Sequence, residues 1–229
     1  MRKWVLWGHH YFEYQDMFDL PKQPKEKRVL EFACGVTAVN QELTQNNFQV
    51  VSCDPGFEAD EKKTHQRFLE NFDLQIKNIH EHPHRFDLNK YGGLEQLIQK
   101  RQEGMQTFFK DYQKGCKEGR YQHLNFKKPL NFENSSFDLV LCANYLFTDL
   151  VEQDVDFHVT AIKEMLRLAH DVRIYPLTNY KAQPSQILGP VLLALQLLGY
   201  QVSVQEVPFR FVPESKAMLR IQSGRCELT

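Results

Sequence analysis

The sequence predicts an α/β protein in which a mostly parallel β-sheet lies between layers of helices. Three stretches predict this fold. Residues 28–57 run through strand, tight turn, helix and strand, which is a βαβ unit. Residues 139–143 are a short apolar run after a polar turn, as expected for a buried strand. Two strand patterns, at 200–211 and 216–222, have a short connection that predicts an antiparallel hairpin.

The βαβ unit begins with the apolar run 29–33, which is too short for a helix. A turn of small residues follows, and then a helical pattern for which Thr37 or Asn40 is the expected cap. The second strand covers 48–53 and stops at Asp54. The turn between the first strand and the helix therefore faces the carboxyl ends of the strands.

Gly35 and Asp54 are the candidate binding residues of this unit. A glycine in the turn lets a ligand approach the backbone closely. An acid at the end of the second strand can accept hydrogen bonds from the two hydroxyls of a ribose. Asp54 lies 54 − 35 = 19 residues after Gly35, close to the spacing of about 20 in nucleotide-binding units. In the alternative reading, Gly35 only shapes a turn and Asp54 only starts a loop.

Two cofactor classes fit this turn. The pattern Ala33-x-Gly35-x-x-Ala38 is a degraded form of the dinucleotide fingerprint G-x-G-x-x-G. The run Glu31-Phe32-Ala33-Cys34-Gly35 resembles motif I of class I S-adenosylmethionine-dependent methyltransferases. Under that resemblance, Asp54 falls on the ribose-binding acid of the family. Thr37 stands where many members have a third glycine.

A second stretch favours the methyltransferase resemblance. Residues 130–147 read LNFENSSFDLVLCANYLF and resemble the segment of that family written LPF-x-x-x-S-F-D-L-V. Asn131 replaces the family's proline, and Asn144 and Tyr145 follow the end of the strand. The family often has an acid after the third strand, aimed at the adenine amino group. Residues 123–126 contain no acid, which leaves Asn125 or backbone groups for that contact.

The N-terminal segment and a long insertion frame the βαβ unit. Aromatic residues at three- and four-residue spacing predict an amphipathic helix within 4–20, which either packs on the domain or covers the cofactor cleft with Tyr11, Tyr14 or Gln15. Residues 21–27 are predicted to be a linker. Residues 60–120 are predicted to be a helical insertion, with one helix broken near Asp73 and a second of about 20 residues that ends near 115–119.

Metal chemistry is not expected. His80, His82 and His84 alternate beside Pro83 in the insertion, but no cysteine is near them, and solvated side chains are the expected state. The five cysteines contain no C-x-x-C pair and are expected to be mostly small buried residues in a reducing compartment. We predict no metal site.

Composition narrows the possible partners. The chain has 229 residues, of which 28 are basic and 29 acidic. This near neutrality argues against nucleic-acid binding through bulk charge. No signal peptide and no membrane span are expected, so we predict a cytoplasmic protein. The length suits one domain, residues 1–229.

The remaining elements complete the pattern. We expect a third strand at 121–126, an amphipathic helix at 153–169, a fifth strand at 171–177, and a helix at 186–198 capped by Ser185. A parallel sheet closed by an antiparallel hairpin is typical of class I methyltransferases. The resemblance, which extends to an uncharacterised bacterial subgroup of that family, implies a Rossmann-like three-layer sandwich with a seven-stranded sheet.

The resemblance also implies the site. S-adenosylmethionine is the expected cofactor, and methyl transfer to an unidentified acceptor is the expected reaction. The catalytic residues are unknown, and the candidates for a general base are Tyr145, His158, Tyr175 and Glu152. The residues expected to bind the cofactor are Tyr14, Glu31, Ala33, Cys34, Gly35, Asp54, Pro55, Asn125, Asn144 and Tyr145.

Several alternatives stay open. We expect the methyl acceptor to be a small molecule and consider a nucleic acid unlikely as a partner. RNA or a protein side chain is kept as the alternative acceptor. A non-catalytic module that binds the cofactor or a partner is a second class. A dinucleotide-dependent oxidoreductase is a third, although it would need a substrate domain for which this length leaves little room. The oligomeric state is left open.

Overall fold

The computed structural model describes residues 8–21, 27–57, 61–148, 154–179 and 181–223. Its centre is a seven-stranded sheet in the order β3-β2-β1-β4-β5-β7-β6. The first five strands are parallel, and β7 runs antiparallel to both β5 and β6. The strands are β1 (Arg28–Phe32), β2 (Gln49–Asp54), β3 (Tyr121–His123), β4 (Leu139–Ala143), β5 (Asp171–Tyr175), β6 (Gln201–Glu206) and β7 (Ala217–Gln222). The predicted mostly parallel sheet with a C-terminal antiparallel hairpin is confirmed.

Helices cover both faces of the sheet and make the three layers. They are α1 (Tyr11–Met17), α2 (Val39–Gln45), α3 (Glu61–Glu81), α4 (Leu94–Lys117), α5 (Val155–Leu168) and α6 (Leu188–Leu197), with 3-10 turns at Pro83–Arg85 and Asn89–Tyr91. Successive strand side chains point to opposite faces. Leu30 therefore packs in the cluster that contains Ile162 of α5, whereas Val29 packs in the cluster that contains Val39 of α2.

The segment between β2 and β3 contains the two longest helices. The predicted break near Asp73 is wrong, because α3 is continuous from Glu61 to Glu81. Its buried residues recur every three or four positions, so one stripe packs along the whole helix: Thr64, Phe68, Phe72, Gln75 and Ile79. The second predicted helix is confirmed as α4.

Several predicted boundaries shift. Strand β3 ends at His123 rather than at residue 126, and residues 124–138 then connect it to β4 without a helix. Helix α2 begins only at Val39, so neither predicted cap is right. The Thr37 hydroxyl donates to Glu31 at 3.0 Å instead. Helix α6 begins at Leu188, and Ser185 is not its cap.

The N-terminal segment lies against the βαβ unit. Gly8 N donates to Val36 O at 2.7 Å, and Ala38 N donates to His9 O at 2.8 Å. Helix α1 begins only at Tyr11, and the aromatic residues Trp4 and Trp7 lie outside the described residues. None of the helices in the described ranges is both long and apolar enough for a membrane span.

Candidate functional site

The candidate site lies where the parallel strands end. Register pairs Phe32 of β1 with Cys53 of β2, and β4 pairs with the other side of β1. Parallel strands present their carboxyl ends at one edge of a sheet. The fold therefore brings together the turn after β1, Asp54 at the end of β2, Asn125 after β3, and Asn144 after β4.

Asp54 joins two backbone turns. Its Oδ2 accepts from Gly35 N at 2.7 Å and its Oδ1 from Gly56 N at 2.7 Å. Burial raises the pKa of Asp54 to about 6, and these two backbone hydrogen bonds limit the rise. A carboxylate offers about four acceptor positions. Asp54 thus keeps a second acceptor position on each oxygen while it fixes the turn.

The turn after β1 is buried and has left-handed backbone at two positions. Ala33 and Gly35 both have positive φ, at 54° and 65°. Ala33 N donates to Cys53 O at 2.8 Å, so the turn is anchored to β2. The Cys34 side chain is 4% exposed and packs with Val36, and Pro55 beside the turn is partly exposed.

Glu31 lies beneath this turn rather than at its surface. It is fully buried, and its Oε1 and Oε2 accept from the Thr37 and Ser52 hydroxyls at 3.0 and 2.5 Å. Burial raises the pKa of Glu31 to about 7. Tyr14 of α1 is also buried, and its hydroxyl has no hydrogen bond of ordinary geometry among the described residues. That hydroxyl faces Glu31 closely enough for the carboxylate to raise the Tyr14 pKa, after burial itself. Both residues therefore support the turn from behind.

Asn125 and Tyr145 follow β3 and β4 at the same edge of the sheet. Asn125 is exposed, and its Oδ1 accepts from Lys127 N at 2.9 Å. The Tyr145 ring stacks on Phe126, with 5.4 Å between centroids and 10° between planes. Burial raises the pKa of the Tyr145 phenol, which disfavours its use as a base near neutral pH.

The other candidate bases have structural contacts. His158 is fully buried, with Nδ1 2.7 Å from Asp154 O and Nε2 2.6 Å from Leu146 O. Because both ring nitrogens face carbonyl oxygens, neither is free to take a proton from a substrate. The buried Tyr175 hydroxyl donates to Ser215 O at 2.6 Å, away from the turn after β1. Glu152 lies outside the described residues.

The three alternating histidines lie at and just after the end of α3. His80, His82 and His84 are exposed, and within the described ranges no three His, Cys, Asp or Glu side chains are grouped as ligands.

One residue at the site gave no signal in the sequence. His9, only 3% exposed, places its Nε2 3.2 Å from Asn144 Nδ2, across 135 positions of the chain. No motif or spacing connects them. The contact exists because the N-terminal segment pairs with residues 36–38, next to the end of β4.

Comparison with known proteins gives a limited likeness. No family model matches the chain. An uncharacterized protein of Methanocaldococcus jannaschii is 23% identical over 219 residues, which cover 95% of this chain and 96% of that protein. That relative is archaeal, so the bacterial subgroup stays a prediction.

Solved structures that the chain resembles include methyltransferases with different substrates. An S-adenosylmethionine-dependent methyltransferase from Aquifex aeolicus has 15% identity and a TM-score of 0.43, covering 91% of this chain and 90% of that one. Magnesium protoporphyrin IX methyltransferase from Synechocystis, with bound S-adenosylmethionine, has 13% identity and a TM-score of 0.37, covering 86% and 70%. An rRNA methylase from Escherichia coli has 12% identity and a TM-score of 0.41, covering 93% and 63%. Function therefore has to follow from this chain's own residues.

Proposed function

We propose that this protein transfers a methyl group from S-adenosylmethionine to an acceptor. The observation that carries the proposal is the meeting of Asp54 and the Gly35 turn at the carboxyl edge of the sheet, 2.7 Å apart through the Gly35 N–H. A ribose needs an acceptor for its two hydroxyls at this edge of the sheet. The motif I resemblance of residues 31–35 and the antiparallel closing hairpin favour the sulfonium cofactor over a dinucleotide.

The strand order suits the parts of this cofactor. The neighbouring strands β3, β2, β1 and β4 lie in that order in the sheet, so their carboxyl ends follow one another along its edge. Asn125 after β3 would meet the adenine, Asp54 the ribose, and the turn at Gly35 the methionine portion. Asn144 and Tyr145 would border the methyl group, and Asn144, which follows the strand next to β1, would also meet the far end of the methionine portion. The cofactor supplies an activated methyl group, and the chain's residues bind, orient and exclude water. An in-line displacement needs few catalytic side chains beyond this.

We propose a small molecule as the acceptor, as the neutral composition suggests. One feature supports RNA as the alternative. A groove of about 590 Å³ adjoins Phe126. Lys127, Lys128 and Lys163 line it, and none of them has an ion pair with another described residue. Cations beside an aromatic surface suit a single-stranded polynucleotide. We also propose a cytoplasmic location.

Calorimetric titration with S-adenosylmethionine, S-adenosylhomocysteine and NAD tests the cofactor. We expect micromolar binding of both adenosyl ligands, none of NAD, and loss on Asp54→Ala. The exposed Asp73 on α3 gives a matched control, Asp73→Ala, which should bind as the parent does. Binding of NAD alone would favour the oxidoreductase class. Binding of none would favour a non-catalytic interaction module.

A further inference from the structure

The side chain of Asn144 is held by a histidine that lies far away in the sequence. Asn144 follows β4 with a positive φ of 56°, and its backbone N–H donates to Tyr175 O at 2.6 Å. Its side-chain Nδ2 lies 3.2 Å from Nε2 of His9. Two nitrogens at this distance form a hydrogen bond only if one carries the hydrogen and the other accepts it. The state of His9 therefore decides the orientation of the Asn144 amide.

The surroundings of His9 select one protonation state. Burial, followed by the nearby Arg101 cation, lowers the pKa of His9, so its ring is neutral at pH 7. A neutral imidazole has one N–H. Its buried Nδ1 lies 3.4 Å from Glu13 Oε2 but makes no hydrogen bond to any described residue. The negative charge of the carboxylate favours a hydrogen over a lone pair on the nearby Nδ1, so the proton belongs on Nδ1 and Nε2 is the acceptor.

Glu13 is kept ionised and stationary. The Arg101 guanidinium donates to both of its oxygens, at 2.5 and 2.6 Å. The Tyr91 hydroxyl donates to Oε1 at 2.6 Å, and His10 N donates to Oε2 at 3.0 Å. Although burial alone would raise it, Arg101 and His9 hold the pKa of Glu13 well below its usual range. Glu13 is thus a fixed negative charge behind His9.

The orientation of the Asn144 amide follows. With Nδ2 donating to His9, the Oδ1 atom is the other branch of the amide, and it has no hydrogen bond within the described parts of the chain. Asn144 is only partly buried, at the edge of the sheet beside the turn after β1. An amide oxygen there is an acceptor for a ligand's N–H.

We propose that His9 is a positioning residue, which turns the Asn144 amide so that Oδ1 receives the ammonium group of the cofactor's methionine portion. This inference rests on the proposed function. It follows from the strand order, because a ligand whose ribose lies on Asp54 at the end of β2 crosses the β1 turn, and its far end reaches β4. Of the parts of the ligand at that far end, the ammonium group is the hydrogen-bond donor.

Two ligands separate this role from a general structural one. S-adenosylhomocysteine carries the ammonium group, and 5′-methylthioadenosine lacks the whole amino-acid portion. We expect His9→Ala to weaken calorimetric binding of S-adenosylhomocysteine by about tenfold, in line with a hydrogen bond to a charged group. Binding of methylthioadenosine should change less than about twofold, because its contacts end at the ribose. Asn144→Ala should repeat this pattern.

A conservative variant completes the test. In His9→Gln, a side-chain carbonyl can still accept from Asn144 Nδ2, so we expect binding of S-adenosylhomocysteine to recover to within about threefold. Equal weakening of both ligands by His9→Ala, or no weakening of either, would overturn the proposal.

Nitrogen-15 NMR of the ligand-free parent protein determines the tautomer of the His9 ring independently, without a variant or a cofactor. We expect His9 to be the neutral tautomer with hydrogen on Nδ1. Hydrogen on Nε2 would make His9 the donor and reverse the amide, which overturns the proposal. If the parent bound neither ligand, the proposed cofactor would be wrong, and the tautomer would still be decided by this measurement.

Discussion

Arg101 of α4 and Glu13 of α1 form a fully buried, bidentate ion pair. Both side chains have 0% exposure. The pair joins the segment between β2 and β3 to the N-terminal helix, and through His9 it reaches the end of β4. Glu13 therefore takes part both in the ion pair with Arg101 and in the contact with His9 at the candidate site.

Removing one partner of this pair should destabilise the protein strongly. We expect Arg101→Met to lower the free energy of unfolding by about 3–5 kcal/mol, because Glu13 would keep an uncompensated buried charge. The double variant Arg101→Met with Glu13→Leu should lose less than Arg101→Met alone. Urea unfolding measures both. The exposed pair Lys114–Glu118 gives the control, and Lys114→Met should cost no more than about 1 kcal/mol. Equal losses in Arg101→Met and Lys114→Met would contradict the buried-charge explanation.

A glycine on α4 permits the close crossing of the N-terminal segment. A Cβ on Gly104 would lie 2.3 Å from Gly8 O, a backbone atom. We expect Gly104→Ala to displace residues 8–10 and to cost more than about 1 kcal/mol, in the range of overpacked cores. A Cβ added to Gly189 in α6 would instead lie in open space. Gly189→Ala should be neutral or should stabilise by up to about 1 kcal/mol. Thermal unfolding compares the two, and similar melting temperatures would refute the steric account.

The buried Glu31 should make stability depend on pH in an unusual direction. Its pKa rises from 4.5 to about 7 on folding, so between these values the folded state binds the proton more tightly. Stability then falls as pH rises through this window, by about 3 kcal/mol from this group. Glu31→Gln removes the titration, and its stability should vary less over the same range. Urea unfolding at pH 5, 6 and 7 measures the difference between the two proteins.

An exposed acid supplies the control for this measurement. Glu103→Gln on α4 should retain the dependence of the parent protein. If Glu31→Gln also kept the full dependence, the carboxyl of Glu31 would not be its source.

His158 should act on stability and not on the reaction. His158→Ala removes the ring contact with the buried carbonyl oxygen of Leu146, whereas Asp154 O still accepts from the backbone N–H of residue 158. We expect a loss of about 1–3 kcal/mol for the Leu146 carbonyl, with the affinity for S-adenosylhomocysteine unchanged in the folded fraction. Exposed His80 on α3 supplies the matched variant His80→Ala, which should change neither property. Full stability in His158→Ala together with lost methyl transfer would instead restore His158 as a candidate base.

Local patterns in the sequence are enough to predict the βαβ unit, the buried strand at 139–143 and the closing hairpin. These elements depend on local patterns: apolar runs, a small-residue turn, and the position of Asp54 after a strand. Each strand can be recognised from its own short stretch of sequence. Because parallel strands end at one edge of a sheet, Gly35, Asp54 and Asn144 could be placed at that edge.

The contacts of those residues depend on how distant parts of the chain pack together. Local periodicity did not reveal that Glu31 lies under the turn or that His158 is held between two carbonyls. The continuation of α3 past Asp73, by contrast, does agree with the helical spacing of its buried residues. The contact of His9 with Asn144 spans 135 positions, and that of Arg101 with Glu13 spans 88. Such pairs arise from the packing of α1 and α4 over the sheet. The burial of a side chain and its hydrogen-bond partners depend on which distant segments pack against it, and a local sequence pattern does not contain that information.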